Sequence, residues 1–303
     1  MALMTSAATG VICVVTATVA WGISPLYYAM MNHIPPLEVV VHRILWSLPP
    51  IVAYALITGR RARFIETGRD KRKLFALALS TTAIFSNWVL FIYAIQIGET
   101  AQASFGYYIY PLAVLLLGVV IFKEGITPLQ WLAAAIAATS VLWMGLRFGS
   151  IPWISMTVMA SFAFYGVIRK AAQVGPMIGV LWELLLISPL LIAYLLWISG
   201  GQFFESWQDA LLLVGGSLFT GIPLILFVEA TKRLRFATVG VLFYINPTLQ
   251  LVSALILGEA FGWDRAIGFG FIWIAVALYC AELIRQDKAA RMLSSAASDD
   301  GAT

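Results

Sequence analysis

Five ionisable side chains stand inside otherwise apolar stretches: Glu38, His42, Arg43, Glu183 and Glu229. Charge in a greasy segment is costly, so such a group faces a partner or a water-filled cavity and marks an ion or substrate path. Glu38 and His42 are spaced i, i+4 and share one helix face. A histidine exchanges protons near neutral pH, which suits a proton-coupled carrier. For Glu38 there is also a plainer reading, a carboxylate favourably placed at a helix N-terminus behind Pro35 and Pro36. Setting Pro36 on Pro176 puts Arg43 on Glu183, each seven residues past its proline. That is about 10 Å into a helix, so the two lie on either side of a membrane midplane. The expectation is a central charge pair, direct or bridged by a substrate, that engages differently in two access states. Its competitor is a static buried ion pair. Glu229 lies one turn from Lys232 and Arg233 and reads as a surface pair.

A second set is polar and aromatic. The stretch "GYYIYPL" at 106–112 returns as "LFYINPT" at 242–248. Pro111 has no N–H for the carbonyl of Tyr107, and Pro247 has none for Phe243, so each loosens its helix. Broken helices at repeat-related positions point to a substrate site. Ser104, Tyr107, Tyr108, Tyr244 and Asn246 then supply hydroxyls and an amide to an aromatic wall, joined by Asn87 and Trp88. Such a wall suits a small organic molecule with an apolar part, whereas an inorganic ion calls for a denser ring of charge. A packing kink without a ligand is the alternative.

These residues need long apolar elements to position them. The 303-residue chain is 61% hydrophobic and 11% charged, with a mean hydropathy of +0.90, too apolar for a water-facing surface. The charges are missing from stretches long enough to cross a ~30 Å hydrocarbon core. Hydropathy and turn signals predict an all-α polytopic membrane protein with ten transmembrane helices: 8–31, 38–58, 74–97, 101–122, 128–146, 151–170, 176–197, 210–230, 236–258 and 264–284. Prolines at helix starts fit positions where an amide has no partner. No basic residue precedes the first stretch, so it reads as a retained helix rather than a cleaved leader. With the N-terminus cytoplasmic, the basic clusters at 60–73, 123, 169–170, 232–235 and 285–291 all fall inside, as the positive-inside rule requires. Both termini are then cytoplasmic. The tail at 286–303 is small and polar and reads as disordered. The segment 59–73 reads as a polar loop.

The net charge of +4 fits a face beside anionic lipid, and no soluble basic domain favours nucleic acid. Cys13 and Cys280 are isolated and propose no metal or disulfide. The chain has no H-E-x-x-H, C-x-x-C or Walker A lysine, which leaves no cofactor to expect and argues against an enzyme or an ATP-driven pump. A membrane enzyme, a channel and a lipid-scrambling or scaffold protein remain the other classes.

Placing Pro111 on Pro247 aligns 91–115 with 227–251 and matches Tyr108 with Tyr244 and Ile109 with Ile245. "FKEG" at 122–125 and "LGEA" at 257–260 close both copies on a glutamate, the second one residue sooner. Pro36 and Pro49 likewise match Pro176 and Pro189. Two halves of five helices follow, and five being odd, the second enters the membrane inverted.

The segments "LEVVVHRILWSLP", "SNWVLFIYAIQIGETAQASFGYYIYP", "FAFYGVIRK" and "RLRFATVGVLFYINPTLQL" closely resemble the RarD family, in the EamA group of the drug/metabolite transporter superfamily. The resemblance runs from about residue 8 to 285. It implies two inverted EamA repeats, at 8–146 and 151–285, an inner-membrane location, and carriage of a small metabolite or drug-like molecule, with protons as a candidate coupling ion.

Overall fold

The computed structural model describes residues 6–300 except 124, 149–151 and 235. Helices α1 (Ser6–Tyr28), α2 (Pro36–Ile57), α3 (Arg61–Arg69), α4 (Lys71–Gln96), α5 (Thr100–Phe122) and α6 (Pro128–Phe148) form the first half. The second contains α7 (Trp153–Ala172), α8 (Pro176–Trp197), α9 (Trp207–Gly216), α10 (Gly221–Arg233), α11 (Phe236–Phe243), α12 (Ile245–Ile256) and α13 (Trp263–Asp300). Among the described residues, seven helical stretches are long and apolar enough to cross a membrane, and 153–169 and 241–256 are shorter apolar helices. The chain is an all-α polytopic membrane protein.

Local chemistry explains the boundaries. Pro36, Pro128 and Pro176 open their helices. Asp70 caps α4, its carboxylate accepting from the amides of Arg72 at 3.0 Å and Lys73 at 3.2 Å. Gly98 and Gly258 sit at φ +72° and +81° just past α4 and α12, a left-handed turn that glycine adopts without a Cβ penalty. Each turn lets the next residue, Glu99 or Glu259, donate its amide back to the helix, at 2.8 and 3.0 Å.

Four expectations need correction. The segment 59–73 contains helix α3, anchored where Phe64 stacks on Trp182 at 4.5 Å and its carbonyl accepts from the indole at 3.2 Å. The eighth span is two helices separated by a 3-10 turn at Ser217–Phe219. Gly215 and Gly216 weaken the first, and Pro223 cannot donate to the Phe219 carbonyl. The two prolines of the repeat differ: α5 runs unbroken through Pro111, while the chain breaks at Tyr244, three residues before Pro247. Finally, α13 is helical to Asp300, so the segment from 286 continues the last helix. Glu124 of the "FKEG" motif and Arg235 lie outside the described residues.

The halves interleave. Helix α7 packs on α4 and α5, and its counterpart α1 packs on α10 and α12. Across the centre α2 meets α8, α5 meets α12, and α6 meets α13. Each contact therefore has its counterpart when the halves are exchanged.

Candidate functional site

A cavity of about 470 Å³ lies between the halves, with walls from both. Of the residues singled out in the sequence, Arg43, Asn87, Trp88, Tyr107, Pro111, Glu183 and Asn246 line it.

Arg43, on α2, is 6% exposed. Its Nε donates to the hydroxyl of Thr220, the residue at the break between α9 and α10. Its guanidinium carbon lies 5.3 Å from the ring centres of both Tyr28 and Trp88, a distance at which the π faces attract the cation. Nη1 is buried and has no hydrogen-bond partner among the described residues.

The expected direct Arg43–Glu183 pair is absent. Glu183, on α8, is 3% exposed and pairs with Arg169 of α7 at 3.5 Å. It also accepts from Ser80 at 2.5 Å and from Tyr165 at 3.3 Å. One helical turn of α7 separates Tyr165 from Arg169, so both side chains reach the same carboxylate.

Asn87 links three helices: its amide donates to Val158 O at 3.0 Å and Ser161 Oγ at 3.1 Å, and its oxygen accepts from Tyr107 at 2.8 Å. That fixes the Tyr107 ring edge-on to Phe91 and Phe162. On the far wall, Gln250 donates to Asn246 at 3.1 Å, one turn away on α12.

Other sequence candidates lie off this wall. Glu38 points at the turn Gly201–Phe204, where the amides of Gln202 and Phe203 face its carboxylate. His42 stacks on Phe203 at 4.8 Å and accepts from the Trp46 indole at 3.3 Å, so it is packed among aromatics instead of lining the cavity. Ser104 donates to the carbonyl of Pro247 at 2.7 Å, and Tyr108 stacks on Tyr244 at 6.2 Å. These three residues and Pro247 build the α5–α12 seam. Glu229 has the expected surface partner, Arg233, at 3.9 Å. The sequence reading missed Thr220, Tyr165, Arg169 and Gln250. Thr220 had a signal in "GGSLFTGIP", where glycines and a proline bracket a break.

A second group of polar contacts joins the halves at the end carrying Gly98 and Gly258. Glu99 pairs with Arg265 at 3.1 Å, and Arg147 grips Asp264 at 2.7 and 3.3 Å. The Glu259 carboxylate accepts from the first amides of α5, Thr100 at 2.6 Å and Ala101 at 2.9 Å.

The family model of EamA-like transporters matches residues 8–146 and again 150–280. The chain belongs to the EamA-like transporter family. It is 36% identical over 280 residues to the protein RarD of Salmonella typhimurium, covering 91% of this chain and 95% of RarD. It is 37% identical over 275 residues to an uncharacterized transporter of Pseudomonas aeruginosa, with 89% and 92% coverage, and 33% over 289 residues to one of Bacillus subtilis, with 93% and 97%. This makes it a RarD-type member of the EamA group. A solved crystal structure 17% identical in sequence superposes with a TM-score of 0.59, covering 90% of this chain and 97% of that one, a likeness of fold. The RarD-type chain thus places Tyr108, Tyr244 and Pro247 on a seam and Arg43 and Glu183 on the wall of a cavity.

Proposed function

We propose that this chain is a secondary carrier of a small organic molecule in the inner membrane, with both termini cytoplasmic and the substrate held between two inverted five-helix halves. The observation that carries the reading is the cavity of about 470 Å³ with aromatic walls and two buried charged residues, Arg43 and Glu183. That size and lining suit a ligand bound mainly by shape and stacking.

Alternating access is favoured by the interleaved packing and by where the halves are ionically tied. Among the described residues, the ion pairs that cross between halves lie at the end carrying Gly98 and Gly258. Ties at one end can release while the other end closes, which exposes the cavity to each side in turn.

Of the two acids singled out on facing helices, Glu38 and Glu183, only Glu183 lines the cavity. It is therefore the group through which a proton would couple. Flux whose pH dependence survives in Glu183→Gln removes that part of the reading.

Purified protein in proteoliposomes tests the whole. Saturable uptake accelerated by substrate on the opposite side is expected of a carrier. A non-saturating conductance without such acceleration would indicate a pore and overturn the proposal.

A further inference from the structure

Among the described residues, one positive charge on the cavity wall has no carboxylate paired with it. Arg43 has no carboxylate within 4.0 Å among the described residues, and its one hydrogen bond goes from Nε to Thr220. The acid that the sequence matches with it, Glu183, is already balanced by Arg169. The acid nearest to it along α2, Glu38, is turned toward Gly201, where an added Cβ would lie 2.5 Å from its Oε1. Nη1 is buried and unpartnered, while the rings of Tyr28 and Trp88 flank the guanidinium without supplying a hydrogen-bond acceptor.

Burying a cation without a counter-ion costs several kcal/mol, which two cation–π contacts offset only in part. The chain tolerates this cost on the wall of a cavity. A guanidinium also presents a planar fork of donors that matches a carboxylate with two parallel hydrogen bonds. The remaining wall is largely aromatic, with Trp88, Phe91, Tyr107 and Phe162 close by.

From this geometry we infer that the site takes organic monoanions: an aromatic or apolar body lying against Trp88 and Tyr107, and a carboxylate engaged by Arg43. This rests on the carrier reading for its transport meaning, but the recognition chemistry stands on Arg43 itself. One uncompensated cation balances one negative charge, so a singly charged carboxylate fits better than a doubly charged phosphate. Thr220 is a positioning residue: by accepting from Nε it orients the fork so that the Nη side faces the ligand.

A matched series of probes tests this on the purified full-length protein: 3-phenylpropanoate, its neutral amide, 3-phenylpropylammonium and phenethyl phosphate. Binding is followed by titration calorimetry and by the fluorescence of Trp88, with Trp88→Phe as the control for the optical signal. The acid should bind at least about tenfold more tightly than the amide, as a charge-assisted hydrogen bond allows. The ammonium should bind more weakly than the amide, and the phosphate no more tightly than the acid. Arg43→Gln should remove the preference for acid over amide, and Arg43→Lys should keep part of it. Thr220→Val leaves the charge in place and should narrow the preference without abolishing it, which provides a second variant if Arg43→Gln does not fold. Equal binding of acid and amide, an acid preference that survives Arg43→Gln, or no binding of the acid at millimolar concentration overturns the inference. Counterflow in proteoliposomes separates the two readings. Arg43-dependent binding without counterflow overturns the carrier and leaves the anion site. Counterflow of neutral or cationic molecules with no preference for acids does the reverse.

Discussion

The carboxylate of Glu183 is held by Arg169, at 3.5 Å, and not by Arg43, its repeat-related counterpart. Both side chains of this pair are largely buried, at 12% and 4% exposure, and breaking such a pair from one side strands a charge at a cost of about 3–5 kcal/mol. Arg169→Met should lower stability by about that amount, read from chemical unfolding in detergent. Adding Glu183→Gln should restore most of it, because the stranded charge is then gone. A single Arg169→Met change as mild as a surface substitution would show that the pair does not hold the fold.

Tyr108 and Tyr244 stack across the α5–α12 seam with unequal hydroxyls. That of Tyr108 meets Thr248 Oγ1 at 2.7 Å, while that of Tyr244 is buried without a hydrogen-bond partner among the described residues. Tyr108→Phe should cost about 1 kcal/mol, and Tyr244→Phe should be neutral or stabilising, since it removes an unpaired buried group. Melting temperatures of the two variants side by side check the order. The reverse order would mean that Tyr244 has a partner the static geometry does not reveal.

These residues show what a sequence can carry. Tyr108 and Tyr244 were legible as a repeat-related pair because their spacing from Pro111 and Pro247 is a property of the chain alone. Their placement on a seam was not, because a helix pattern gives the turn a residue occupies but not which neighbour faces it. The same limit applies to Arg43 and Glu183. Their match rests on spacing from Pro36 and Pro176 alone, and Arg169 reaches the acid from α7, a contact set by how α7 packs on α4 and α5. His42 was legible as unusual, but Phe203, its stacking partner, lies in a turn with no periodic signal. The starts of several helices were well marked by prolines such as Pro36, Pro128 and Pro176. The break at Thr220 was hidden by an unbroken hydropathy profile.

Gly106 lets α5 approach α7 closely. A Cβ there would lie 2.6 Å from the carbonyl oxygen of Ser155 and 3.1 Å from Val158 Cβ. The first neighbour is backbone and cannot rotate away, so Gly106→Ala must push the helices apart. A loss of about 1–3 kcal/mol is expected from such overpacking, together with weakening of the 2.7 Å bond from Ser155 to Gln102 O. Gly270→Ala is the control, because nothing lies within 4 Å of its added Cβ, and it should stay within about 0.5 kcal/mol of the parent. Equal behaviour of the two in unfolding titrations would contradict the close approach.

The ties at the Gly98–Gly258 end should bias which side the cavity faces. Glu99–Arg265 and Arg147–Asp264 are partly exposed pairs, each worth up to about 1 kcal/mol. Their summed effect on fold stability is small, but an access equilibrium shifts about fivefold for each kcal/mol. Neutralising both with Glu99→Gln and Asp264→Asn should therefore raise the population open at that end by several-fold. Ser24 lines the cavity, so a Ser24→Cys reporter with Cys13 and Cys280 replaced gives the readout. Its labelling by a membrane-impermeant maleimide from that side should speed up by the same factor in the double variant, while labelling from the opposite side slows. Glu259→Gln should act in the same direction, because its single amide oxygen keeps only one of the two bonds that the carboxylate oxygens accept from Thr100 and Ala101, and the charge at the start of α5 is lost. If labelling from both sides stays at the parent rate while melting temperatures are preserved, these pairs are decoration on a rigid end and access is governed elsewhere.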